Sequence, residues 1–207
     1  MKKTLFIGAF ALLTSCTAVQ NSGSDKQPFV WEGANLYFLL TDRFNNGDPN
    51  NDVNFNRTEK TAVLRGFEGG DLRGIIQKID DNYFSDLGIN AIWMTPVIEQ
   101  IHGATNEGTG NTYGFHGYWT KDWTALDPNF GTKADLKELV DKAHKKGIRI
   151  VLDAVINHTG PVTPVDPVFP NSWVRTSPQC KYDNYINTTA CTLVANLPDI
   201  LTESNAP

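Results

Sequence analysis

Apolar positions along this chain fall into three short dense runs, separated by two stretches with helical spacing. Residues 35–41 are apolar almost without interruption, which predicts a strand buried on both faces. Leu72, Ile75, Ile76, Ile79 and Tyr83 recur at helical spacing and predict one helix over 71–87, stopped by Gly88. Residues 89–94 form a second apolar run, ended before Pro96. Thr132 then reads as a helix N-cap with Asp135 three residues on. Leu136, Leu139, Val140 and Ala143 make one apolar face, and Lys145, Lys146 and Gly147 close the helix. Residues 148–152 are a third strand leading into Asp153. Strands alternating with helices predict an α/β fold with a parallel sheet and right-handed crossovers. The periodicity alone leaves a doubly wound sheet and a β/α barrel both open. The polar stretches 42–70, 95–131 and 157 onward read as long loops, and in a barrel such loops build the active site.

Composition changes this picture little. The 207 residues are 40% hydrophobic and 20% charged with a net charge of -5, which fits a globular domain. Acidic and basic residues are mixed, and no basic stripe points to nucleic acid.

The first residues stand apart. Lys2 and Lys3 precede an apolar run over 4–13, too short to span a bilayer, that ends in Leu13-Thr14-Ser15-Cys16. This looks like a bacterial lipobox, making 1–15 a lipoprotein signal peptide and Cys16 the lipidated residue. The alternative is an ordinary secretory signal cleaved near Ala18. Thr17 after Cys16, by resemblance to lipoproteins of Gram-negative bacteria, favours the outer membrane over a periplasmic or secreted destination. Residues 16–30 read as a flexible tether. Export places Cys180 and Cys191 in an oxidising compartment, where a disulfide or two buried thiols both remain open, and nothing near them suggests zinc.

Three stretches in order carry a family resemblance. They are 88–96 (GINAIWMTP), His116-Gly117-Tyr118-Trp119 running on to Asp127-Pro128-Asn129-Phe130-Gly131-Thr132, and Asp153-Ala154-Val155-Ile156-Asn157-His158. Together they resemble the α-amylase family, glycoside hydrolase family 13. Thr41-Asp42-Arg43-Phe44 and the Asn/Asp-rich loop after it are similar to bacterial periplasmic α-amylases and cyclodextrin glucanotransferases. Leu197-Pro198-Asp199 resembles a short motif near the end of the family's inserted domain B. The resemblance implies the N-terminal part of a TIM (β/α)8 barrel, with its first three strands in residues 31–158 and the start of domain B in 159–207.

The same resemblance assigns sites. Residues 45–52 crowd hard oxygen donors into a turn, as Ca2+ requires. The matching ligands would be Asn46, Asp48, Asn51, Asp52, the Gly69 carbonyl and Asp71. A second calcium would use Asn157 and Asp199. Tyr118 would give a sugar ring an aromatic platform, His116 and His158 would bond its hydroxyls, and Asp153 would pair with an arginine of the next strand. His102, Trp93, Trp119 and Trp123 read as structural.

In a retaining glycosidase one carboxylate attacks and a second acts as acid and base. No G-x-R-x-D motif occurs in this sequence, and none of its Asp or Glu residues matches the family's reacting carboxylates. The chain therefore reads as an N-terminal fragment, inactive alone, of an exported, calcium-dependent enzyme that hydrolyses α-1,4-glucans such as starch or maltodextrin. A cyclodextrin glucanotransferase-type transglycosylase is the alternative. If the chain truly ended at residue 207, a lipid-anchored, non-catalytic glucan-binding protein would remain.

Overall fold

A computed structural model of the chain describes residues 28–203. The leader and Cys16 lie outside them. Residues 28–32 group apart from 33–203, and the fold below concerns the latter.

Three strands, β1 (Leu36–Leu39), β2 (Ala91–Met94) and β7 (Arg149–Leu152), form one parallel sheet in the order β1-β2-β7. The register pairs Leu36 with Ala91 and Ala91 with Arg149, so the three strands end level at Leu39, Met94 and Leu152. The connection from β1 to β2 carries α1 (Thr41–Phe44), α2 (Leu72–Asp80) and α3 (Tyr83–Asp86), and that from β2 to β7 carries α4 (Lys133–Lys145). This is the start of a β/α barrel, as the family resemblance implies. With the strands in sequential order, the two crossovers lie on one face of the sheet, which decides against the doubly wound arrangement that the periodicity left open.

The core lies between that face and the helices. Leu39, Ile92 and Met94 meet Leu72, Ile75, Ile76 and Ile79 of α2, Leu139 and Ala143 of α4, and Phe84 and Phe130, all buried. Asp71 caps α2 by accepting from Gly74 N at 2.6 Å. Thr132 and Asp135 form the predicted reciprocal cap of α4. Arg73 and Lys142 tie the helices through Glu138 and Asp80.

Two expectations are corrected. The helix predicted over 71–87 is two helices, because Asn82 takes a left-handed conformation (φ 63°) that an L-residue helix cannot continue through. The break shifts the helical phase, so Phe84 is fully buried while Tyr83 is 39% exposed. The first strand is not buried on both faces either: Leu36 is 48% and Phe38 51% exposed. Helices cover one face only, and among the described residues no layer covers the other, where Phe38 packs edge-on against Trp93.

The stretch 95–131 is not simply loop. β3 (Ile98–Gln100) pairs antiparallel with β6 (Thr120–Leu126), and β4 (Thr105–Asn106) with β5 (Asn111–Thr112). The β3–β6 register shifts twice, and β6 carries Lys121, Asp122 and Thr124, which hides any apolar alternation. Beyond β7, β8 (Val174–Arg175) pairs with β9 (Asp199–Ile200), α5 spans Tyr185–Thr189, and Cys180 and Cys191 form a disulfide.

Candidate functional site

The three parallel strands bring their C-terminal ends together. Thr41 N donates to Thr95 Oγ1, Thr95 N to Leu39 O, and Asp153 N to Met94 O. Tyr118 is held over this end by three groups. Its N–H donates to His116 Nδ1 at 3.0 Å, its carbonyl accepts from His158 Nε2 at 3.1 Å, and its hydroxyl donates to Asp153 Oδ2 at 3.0 Å. The His116 ring lies nearly parallel to the tyrosine, 5.8 Å away. The four residues singled out as sugar-facing thus converge on one point. Asp153 is engaged by Tyr118 within this chain, a partner that the resemblance does not specify.

These bonds fix the histidine tautomers. Nδ1 of His116 accepts, so the neutral ring carries its proton on Nε2; His158 donates from Nε2, so its Nδ1 is bare. His116 therefore offers a donor to whatever binds beside Tyr118, while Nδ1 of His158 lies 3.5 Å from Asn157 Nδ2 within the chain. Burial favours the uncharged rings. It lowers the His116 pKa to about 4 and lowers that of His158 as well, against the opposing pull of the Tyr118 carbonyl. The Tyr118 hydroxyl is pushed up to about 12, first by burial and then by the Asp153 carboxylate it bonds.

The second cluster is the Asn/Asp loop, which sits directly on the first turn of α2. Gly74 is a helical glycine, unfavourable by about 1 kcal/mol against alanine. Here the close approach requires it, since a Cβ at 74 would fall 1.8 Å from the Asn45 carbonyl oxygen. Asp71 organises the loop as well as capping the helix, accepting from Gly47 N, Asp48 N and Asn51 Nδ2. Asn46 Nδ2 donates to both oxygens of Asp52. Both side chains lie against Gly69 (φ 90°), where a Cβ would come within 2.3 Å of Asn46 Nδ2 and 2.6 Å of Asp52 Oδ1. Asp48 instead turns to Asn50.

The donor set fits a hard cation in kind. Asn51 Oδ1 is buried without a hydrogen-bond partner, an oxygen that a cation would satisfy. Among the described residues no three His, Cys, Asp or Glu side chains could hold a metal together, so amide and carbonyl oxygens must contribute. Calcium accepts such a set and zinc does not. The pair Asn157 and Asp199 fits less well. The structure does bring them together, with Ile200 N donating to Asn157 O and His158 bridging to Asp199. Yet the Asp199 carboxylate is nearly fully buried and already faces Arg175 at 2.9 Å, although not at a hydrogen-bonding angle. Burial raises its pKa, with Arg175 opposing.

Sequence reasoning missed several participants. Asp42 accepts from Glu68 N and Gly69 N, and its own carbonyl accepts from Gly70 N, so it shapes the strand of chain that carries Gly69. Its pKa is raised to about 6, by burial against the pull of those N–H groups and Arg43. Arg57, Asp127 and Asn129 form a buried network behind the loop. Trp123, read as structural, bonds Val155 O through its indole N–H. It also lines a groove of about 520 Å3 with Phe169 and Trp173, which none of the four strand-end residues borders. We place the candidate site at Tyr118, where polar groups converge, rather than in that wider groove.

The chain is similar to known proteins over most of its length. The family model for the alpha amylase catalytic domain matches residues 38–199. The periplasmic alpha-amylase of Escherichia coli (strain K12) is 51% identical over 143 residues, covering 67% of this chain and 21% of that protein. A cyclomaltodextrin glucanotransferase of Niallia circulans is 43% identical over 155 residues, covering 74% of this chain and 21% of that one. Among solved structures, an Anoxybacillus alpha-amylase superposes with a TM-score of 0.69 at 34% identity, covering 85% of this chain and 36% of the other. The alpha-amylase of Geobacillus thermoleovorans, complexed with acarbose, gives 0.65 at 33% identity, covering 85% and 35%. The chain spans about a fifth of the length of these two curated relatives.

Proposed function

This chain belongs to the alpha-amylase family, glycoside hydrolase family 13, and on that premise we propose that the intact protein cleaves α-1,4-glucans by a retaining double displacement. The observation that carries this reading is the convergence of His116, Asp153 and His158 on Tyr118 at the strand ends. In it, the tyrosine ring meets the apolar face of a glucose unit and His116 Nε2 donates to one sugar oxygen, while His158 holds the Tyr118 carbonyl. Asp153 sets the angle of the ring. The attacking and proton-donating carboxylates have no counterpart among the motifs of residues 1–207, which supply the substrate-facing side of the cleft from 31–158 and the beginning of domain B from 159–207.

Calcium belongs to the same reading, at the loop of Asn46, Asp48, Asn51, Asp52, Gly69 and Asp71. Bound there, it would neutralise the crowded carboxylates and tie the loop to the first turn of α2. Chelation should lower the melting temperature, and an unchanged value would remove the assignment. Export is supported by the apolar leader and by the likeness to a periplasmic enzyme, with a lipid on Cys16 as the anchor. Globomycin should then accumulate precursor, whereas normal processing would exclude the anchor.

A second reading, a transglycosylase forming cyclic glucans, is favoured by the 43% identity to a cyclomaltodextrin glucanotransferase. Incubating the full-length enzyme with soluble starch decides between them. Linear oligosaccharides released first as the α-anomer support the hydrolase, and predominantly cyclic products support the transglycosylase. Absence of any cleavage would overturn both.

A further inference from the structure

The Asn/Asp loop is held from behind by residues outside its ligand set. Asn129 Nδ2 donates to two successive carbonyl oxygens of the loop, Asn51 at 3.1 Å and Asp52 at 2.7 Å. The amide cannot turn over. Its Oδ1 accepts from Arg57 Nη1 at 2.5 Å, and a guanidinium has only donors, so the NH2 must face the loop. Its backbone N–H donates to Asp127 Oδ1.

Arg57 is fixed in turn. It forks onto both oxygens of Asp127, at 2.9 and 2.7 Å, and donates to the carbonyls of Gln100 and Ile101. All three residues are buried: Arg57 is 7%, Asp127 0% and Asn129 2% exposed. Holding two adjacent carbonyls on the inner side fixes the peptide planes at 51 and 52. That fixes where the two side chains leave the backbone: Asn51 toward Asp71, and Asp52 toward Asn46 and Gly69.

We infer that Asn129, oriented by Arg57 and Asp127, is a positioning residue that pre-orders the cation loop, so that the ion meets its oxygens already aimed. The inference rests on the calcium reading above. Ordering before binding raises affinity because the ion then has less disorder to remove, and supporting residues of metal sites typically contribute about ten- to hundredfold.

Calorimetric titration of Ca2+ into the metal-stripped full chain tests it. Asn129→Asp keeps the shape and the contact to Arg57 but cannot donate to the carbonyls; Asn129→Ala is the second variant. Both should bind at least about tenfold more weakly than the parent chain, while Asp52→Ala should lose binding. Ile148→Val, a core change just before β7, should lower the melting temperature in chelator without altering Ca2+ affinity. If both Asn129 variants bind within about threefold of the parent while Asp52→Ala does not bind, the positioning role is wrong and the calcium reading stands. If the parent chain itself fails to bind, the calcium reading falls and this inference with it.

Discussion

Replacing Arg57 with methionine should be strongly destabilising, although the residue lies outside the apolar core. Methionine matches the length and much of the volume of the side chain, so packing against Phe55 and Phe67, each within 5.0 Å of the guanidinium, is largely kept. Charge and donors are lost. Asp127, with its side chain fully buried, keeps the backbone N–H groups of Gln100 and Asn129 but no cation. Asn129 Oδ1 and the carbonyls of Gln100 and Ile101 each lose a donor. Breaking a buried ion pair from one side costs roughly 3–5 kcal/mol, because the remaining charge is stranded. The orphaned acceptors belong to the same penalty and are not added to it. Removing the charge as well, in Arg57→Met with Asp127→Asn, should therefore restore about 2 kcal/mol relative to the sum of the single changes. Equilibrium urea unfolding of the parent, both single variants and the double variant closes the cycle. A loss under about 1 kcal/mol for Arg57→Met, or strict additivity in the double variant, would refute the account of Arg57 as the charge partner of Asp127.

Other outcomes follow from the strand-end cluster and the disulfide. The folded His116 pKa of about 4 lies below its ordinary 6.5, so the folded state binds fewer protons between those values. Stability from this group should be fully present above pH 6.5 and fall as the pH drops toward 4, by up to about 3 kcal/mol. His116→Asn, whose amide oxygen can still accept from Tyr118 N, should flatten that part of a plot of melting temperature against pH. An unchanged slope would locate the effect elsewhere. Tyr118→Phe keeps the ring and should hold maltooligosaccharide affinity within about threefold, whereas Tyr118→Ala should weaken it about tenfold or more by calorimetry. Equal losses would mean that the hydroxyl, not the ring, meets the sugar. Replacing Cys180 and Cys191 with serine opens a loop whose ends are 11 residues apart and should lower stability by about 3 kcal/mol in thermal unfolding. No loss would show that the loop is held by its other contacts.

The sheet and its two crossover helices were legible because burial imposed a period. Ile75, Ile76 and Ile79 on α2, and Leu139 and Ala143 on α4, point where their spacing says. The helix break at Asn82 was not legible, since Tyr83 and Phe84 both suit an apolar stripe and only the left-handed turn decides which goes inside. The candidate sugar-facing residues were found through motif order. Their mutual arrangement was not, because Tyr118 and Asp153 lie 35 residues apart, on the segment before β6 and just after β7, and meet only in the folded chain. Arg57 left no signal in the sequence. Its partners lie 70 and 72 residues on, and a lone arginine in a polar loop ordinarily reads as solvated. Asp127 and Asn129 did stand inside a motif, but nothing in their spacing shows that one holds a guanidinium and the other two carbonyls.

Two of the three bonds to Tyr118 go to its main chain and not to its ring. Those bonds need only a peptide N–H and C=O at position 118, which any residue but proline provides. The histidines therefore act as a mount whose fitting does not depend on what is mounted. Exchanging the side chain at 118 changes the surface offered to a bound sugar while leaving its support in place, and only the tie to Asp153 is lost. On the proposed sugar-binding role, position 118 is accordingly where ligand preference should be retuned by a single substitution at small cost to the fold. Substitutions at 116 or 158 alter the mount itself.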